Sequence, residues 1–123
     1  MMNQEHFMEI SNSHGGYASW AVWIDEDIKP KSNMGDMSIF DLNENPQLLN
    51  ILNPNVIMVG LNISKVIEKP LSNFHGAIGG AFKIRYAFRD TPFYGAYMTD
   101  IIKDFEEKIS GTVLTYLKKK SRI

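Results

Sequence analysis

The stretch Val56-Ile57-Met58-Val59-Gly60-Leu61-Asn62-Ile63-Ser64 constrains this chain more than any other. Four apolar residues, largely β-branched, run into a glycine and then into a polar loop. A buried parallel strand reads this way when it delivers a polar group to the carboxyl edge of a sheet. Ligands of open α/β sheets bind at that edge, so Asn62 stands where chemistry is usually done. A second polar cluster, Ser72-Asn73-Phe74-His75-Gly76, comes about ten residues later.

The 123 residues suit one domain that buries about two-thirds of its unfolded surface, and we read residues 1–123 as that single domain. Thirteen Lys and Arg against 14 Asp and Glu leave a formal charge of −1. That balance gives little long-range attraction for phosphate backbones or anionic membranes, so a nucleic-acid role requires a local basic face. Cysteine is absent, which excludes disulfides and thiolate metal sites. The N-terminus lacks a basic region followed by an apolar run, and no apolar run approaches the ~18 residues that span a bilayer. These features lead us to expect a cytoplasmic protein with no membrane partner.

Residues 1–16 read as a loose or short helical lead-in that ends in His14-Gly15-Gly16. Residues 17–24 form the first strand candidate, with Trp20, Val22 and Ile24 on one face and Ala21 and Trp23 on the other. Residues 25–35 read as a loop. Asn45-Pro46 predicts a helix start, with an N-cap and a proline at the first helical position. Asn53-Pro54-Asn55 stops that helix and turns the chain into the 56–61 strand. Residues 62–80 form a long polar loop; such loops in compact domains are usually functional or disordered, and the aromatic and histidine content of this one argues against disorder. Residues 81–89 predict a helix with Ala81, Ile84 and Phe88 on one face and Arg85 and Arg89 on another. Residues 94–102 are the third strand candidate. Ser110 predicts the cap of a last helix through Val113, Leu114 and Leu117, with Lys118, Lys119 and Lys120 in its final turn.

A helix feeding a strand through a Pro-Asn turn is typical of α/β proteins. The expected architecture is therefore α/β, a small three-layer sandwich on a mainly parallel sheet. Three strands leave at least one edge open, which invites a partner or a second copy of the chain.

Several side chains have both a functional and a plainer reading. Asn62 can position a water or hold a base edge, since its amide donates and accepts, or it can close its own loop as an Asx-turn. Phe74 offers a surface for ring stacking worth ~1–3 kcal/mol per base, or else tucks under the sheet edge. His75 can be an acid, a base or a ligand, although a lone histidine is more often none of these. Arg85, Arg89 and Lys83 can meet phosphates, but the low net charge favours a solvated helix face. Asp100 can polarise a ligand or a water, cap the segment after its strand, or pair with Lys103. No Walker-type phosphate loop, nucleophile-elbow serine or metal-ligand spacing is present, and no cofactor or metal is expected.

Residues 56–62 and the polar loop after them resemble the first motif of the uracil-DNA glycosylase superfamily. The mismatch-specific branch, with its strand-Gly-x-Asn-Pro pattern, is the most similar. Ser72-Asn73-Phe74-His75 resembles the base-stacking region, and residues 94–103 resemble the next core strand, which often ends in Thr-Asn or Thr-Asp. The likeness extends in order over roughly residues 17–120 and is most like an uncharacterised bacterial group.

The resemblance implies that Asn62 positions the attacking water and that Phe74 stacks on an extruded base. It implies cleavage of a glycosidic bond through an oxocarbenium-like state, after the nucleotide is flipped out of DNA. On that basis Asn62, Asp100 and His75 are the catalytic candidates. Gly60, Leu61, Ser64, Asn73, Phe74 and Arg85 are the candidates for binding DNA, a nucleotide or a base. Ile63 stands where the family has proline. The family's further helix, fourth strand and histidine-containing late loop have no counterpart here, so the resemblance is to a truncated, N-terminal portion of that fold. The alternative is a non-catalytic module that binds a base or a protein partner, or a remnant without activity.

Overall fold

In the computed structural model, the described residues are 1–63, 67–77 and 79–102. They form α1 (Gln4–His14), β1 (Ser19–Trp20), a single 3-10 turn (Ser38–Phe40), α2 (Leu48–Ile51), β2 (Asn53–Asn62), α3 (Ala81–Phe88) and β3 (Ala96–Ile102). The lead-in is thus a regular helix. Asn3 caps it by accepting the His6 amide at 3.0 Å, which satisfies one of its unpaired N-terminal donors.

The three strands form one sheet in the order β1-β3-β2. β2 and β3 are parallel, with Met58 beside Met98 and Gly60 beside Asp100, whereas β1 pairs antiparallel to β3. The sheet is therefore a small open mixed one, not the mainly parallel one expected. The difference arises at β1. After Trp20 the Val22 amide turns back onto the Trp20 carbonyl at 2.8 Å, which ends the ladder after two residues.

The alternation predicted for residues 17–24 nevertheless survives in the packing. Trp20 and Val22 join α1 and α2 residues Phe7, Leu48 and Leu49 in one cluster. Ala21 and Trp23 join Met98, Val56, Met58 and the α3 residues Ala81, Phe82, Ile84 and Phe88 in a second. Burying each large side chain is worth about 1.5–3 kcal/mol, so these two clusters supply most of the drive to fold.

The helix expected at Asn45-Pro46 is displaced. Asn45 spends its side-chain amide on the Ile39 carbonyl at 3.0 Å, and α2 begins only at Leu48. Past α2 the Asn53 side chain accepts the Asn55 amide at 3.1 Å, and the β2–β3 register shifts between Asn53 and Ile57. Gly95 has φ +91°, and a side chain there would strike the Ile51 carbonyl, so only glycine lets β3 start against the end of α2.

Among the described residues β2 is an edge strand. On the face opposite α3, Ile57, Val59, Leu61 and Ile101 are exposed. The last helix predicted from Ser110, Lys103 beside Asp100, and Ser64 all lie outside the described residues. No helix among the described residues is long and apolar enough to cross a membrane.

Candidate functional site

Parallel strands β2 and β3 end side by side, and their α3-facing residues alternate Val56, Met58, Gly60 and Ala96, Met98, Asp100. The apolar pairs build the core, and the last pair leaves it polar: a glycine faces a carboxylate. Asp100 is 2% exposed. Its Oδ1 lies so close to Gly60 that any side chain at position 60 would displace it, and the Phe74 ring is 3.7 Å from the same point. Gly60 is therefore the residue that makes room for both.

The loop after β2 brings the remaining groups. Asn73 is buried and donates its amide to Asp100 Oδ2 at 2.9 Å and to the Tyr17 carbonyl at 2.8 Å. Leu71 and Phe74 both adopt left-handed backbone, each at φ +66°, which is costly for side chains of this size. Their carbonyls are tied down by the first strand segment. Ser19 Oγ donates to the Leu71 carbonyl at 2.6 Å, and Trp23 Nε1 donates to the Phe74 carbonyl at 3.0 Å. The Leu71 amide is held by the Gly15 carbonyl at 2.8 Å. The strained turn is thus clamped from residues 15–23, and it presents Asn73 and Phe74 to Gly60 and Asp100.

His75 closes the turn. Its ring is 2% exposed, stacks on Trp23 with centroids 5.3 Å apart, and meets the edge of Phe40 at 5.2 Å. Nδ1 lies 2.9 Å from the Asn73 carbonyl and 3.3 Å from Ser19 Oγ, while Nε2 lies 2.7 Å from the Val22 carbonyl. Burial lowers its proton affinity below the usual histidine value, and the two carbonyl contacts oppose that shift. His75 also lines a cleft of about 210 Å³ with Glu68, Lys69, Ser72 and Gly76.

The sequence candidates thus divide. Gly60, Asn73, Phe74 and Asp100 meet at one point, with His75 next to them. Asn62 is the final residue of β2, paired through its backbone with Ile102. Leu61 is on the opposite, exposed face and does not line this point.

Arg85 is not on a solvated helix face. It is 2% exposed, and its guanidinium donates to the Ile24 carbonyl at 2.8 Å and the Pro30 carbonyl at 2.5 Å. Arg89 forms a two-pronged ion pair with Glu26, which holds that carboxyl down at about 2. Both arginines pin the 24–30 loop to α3. Ser19, Trp23 and the Tyr17 carbonyl carry no site signal in the sequence; the aromatic and small residues at 17–23 are legible there only as strand.

Among the described residues no group of three or more His, Cys, Asp or Glu side chains is placed to hold a metal ion. The site offers a buried carboxylate that the Asn73 amide holds, an aromatic ring, and a glycine at the strand end. Comparison of the chain with family models, curated proteins and solved structures returned no match.

Proposed function

We propose that the chain binds a nucleobase at the carboxyl ends of β2 and β3 and removes it from DNA, as a small relative of the uracil-DNA glycosylases. The observation that carries this reading is the meeting of Gly60, Asp100, Asn73 and Phe74 at one strand end. Gly60 makes room for the Asp100 carboxylate and the Phe74 ring at the strand end, Phe74 supplies a ring on which a base stacks, and Asn73 fixes the carboxylate.

In the excision step, a water oxygen attacks the sugar C1′ and the C1′–N bond breaks, its electron pair leaving on the base. An asparagine is no base, so Asn62 orients the water and the Asp100 carboxylate takes its proton. The same negative charge steadies the oxocarbenium-like sugar. Arg85 is left out of it, because its buried guanidinium donates to the Ile24 and Pro30 carbonyls and faces Glu26 at 3.7 Å. DNA contact falls to exposed cations such as Lys69 and Lys83, which predicts weak, salt-sensitive binding.

A second reading is supported by a separate observation. Ile57, Val59 and Leu61 are exposed on the other face of β2, which among the described residues is an edge strand and carries no charge, and Ile101 of β3 is exposed as well. Such a face suits a second copy or another protein, with the strand-end site binding a base without turnover.

Titration of a single-stranded, uracil-containing oligonucleotide into the 15N-labelled chain tests the first reading. Amide shifts centred on Gly60, Asn73, Phe74 and Asp100 are expected. Shifts confined to the 57–61 face, or none at all, overturn it.

A further inference from the structure

The ring of His75 has two nitrogens and two carbonyl neighbours, Asn73 O at 2.9 Å from Nδ1 and Val22 O at 2.7 Å from Nε2. A neutral imidazole carries one N–H, so it can donate to only one of them; the imidazolium donates to both. Ser19 resolves the difference. Its hydroxyl sits 2.6 Å from the Leu71 carbonyl and 3.3 Å from His75 Nδ1, with one proton to give.

With the ring neutral in its Nε2–H form, that N–H serves Val22 and the Ser19 hydroxyl turns to Nδ1, leaving the Leu71 and Asn73 carbonyls without those donors. With the ring protonated, Nδ1–H serves Asn73 and the Ser19 hydroxyl serves Leu71, and every acceptor in the set is matched.

We propose that His75 is a proton-operated latch on the strained turn that carries Asn73 and Phe74: gain of a second ring proton closes Nδ1 onto the Asn73 carbonyl, and its loss releases that carbonyl. The latch acts on the turn whose left-handed residues Leu71 and Phe74 need their carbonyls held. The proton comes from water in the cleft that His75 shares with Glu68 and Lys69.

Among the described residues the charged groups around the ring are few. Glu68 and Lys69 of its own loop face that cleft with opposite signs. Asp100 of β3 is reached through the Asn73 amide. β1 contributes Ser19, and Trp23 and Phe40 contribute rings, of which the stacked Trp23 favours a cation. Burial opposes this, which places the change on the acid side of an ordinary histidine.

The latch stands on the hydrogen-bond count alone, and only its consequence for base binding rests on the proposed function. The test is therefore made on the free protein. Ring 15N signals of His75 are followed against pH together with the amides of residues 71–75. The expected result is a neutral Nε2–H ring that becomes doubly protonated while the protein is folded, with the Asn73 and Phe74 amides moving at the same midpoint. Ser19→Ala removes the donor that the neutral ring uses, so it raises the proton affinity of His75 roughly threefold to tenfold. His75→Gln removes the response. A ring that stays neutral until the chain unfolds, or a midpoint that Ser19→Ala does not move, overturns the latch. Absence of DNA binding alongside a titrating ring overturns only the proposed function.

Discussion

Asn73 Nδ2 donates to Asp100 Oδ2 at 2.9 Å, so the loop after β2 and the end of β3 are joined by a bond between two buried side chains. The same amide also holds the Tyr17 carbonyl. Removing it takes one donor from a buried carboxylate and from a backbone carbonyl together. Asn73→Ala is expected to cost about 1–3 kcal/mol in urea unfolding, and Asn73→Asp more, because it sets a second carboxylate against Asp100. A loss below about 0.5 kcal/mol for both variants contradicts this role.

Gly60 and Val59 are neighbours with opposite expectations. Gly60→Ala pushes a methyl into Asp100 Oδ1 and toward Phe74, a steric cost of about 1–3 kcal/mol together with loss of base binding. Val59 is 53% exposed, so Val59→Thr stays within about 0.5 kcal/mol of the parent. Chemical denaturation of the two variants side by side checks the contrast.

Much of the scaffold is legible in the sequence because periodicity reports burial. The 56–62 strand, the 81–88 helix and the face alternation of Trp20, Ala21, Val22 and Trp23 arise from apolar spacing alone. The pairing direction of β1 does not, since a two-residue strand carries no signal for its partner. The site is legible as residues and not as connections. Asn73, Phe74, His75 and Asp100 stand out as polar or aromatic groups near strand ends. That Ser19 and Trp23 clamp their turn depends on hydrogen bonds across 52 and 51 residues of chain. Arg85 misleads for a related reason. Helical spacing sets it apart from the Ala81, Ile84 and Phe88 face, but the 24–30 loop folds over that side of α3 and buries the guanidinium among carbonyls.

That burial gives Arg85 a testable structural role. Arg85→Met keeps the aliphatic stem and removes the donors to Ile24 and Pro30. We expect roughly 2–3 kcal/mol of destabilisation, with protease sensitivity appearing first at residues 24–30. Thermal unfolding and limited proteolysis measure both effects, and an unchanged melting temperature contradicts the assignment.

Stability is expected to fall in acid in two steps. Burial holds the His75 proton affinity below the ordinary 6.5, so the unfolded chain binds the proton more readily than the folded one. Its contribution is complete above that value and declines as pH falls below it. Glu26, held at about 2 by Arg89 against an ordinary 4.5, contributes fully above 4.5 and loses that contribution between 4.5 and about 2. Urea midpoints across roughly pH 3–8 should show the upper step vanish in His75→Gln and the lower one shrink in Glu26→Gln. Parallel pH profiles for all three proteins contradict both assignments.

The most direct measurement is release of free uracil from a labelled single-stranded oligonucleotide by the wild-type chain and by Asp100→Asn. We predict release by the wild type and a fall of about a hundredfold or more in the variant, the scale of a lost general base. Wild-type release no greater than that of a heat-inactivated sample contradicts it.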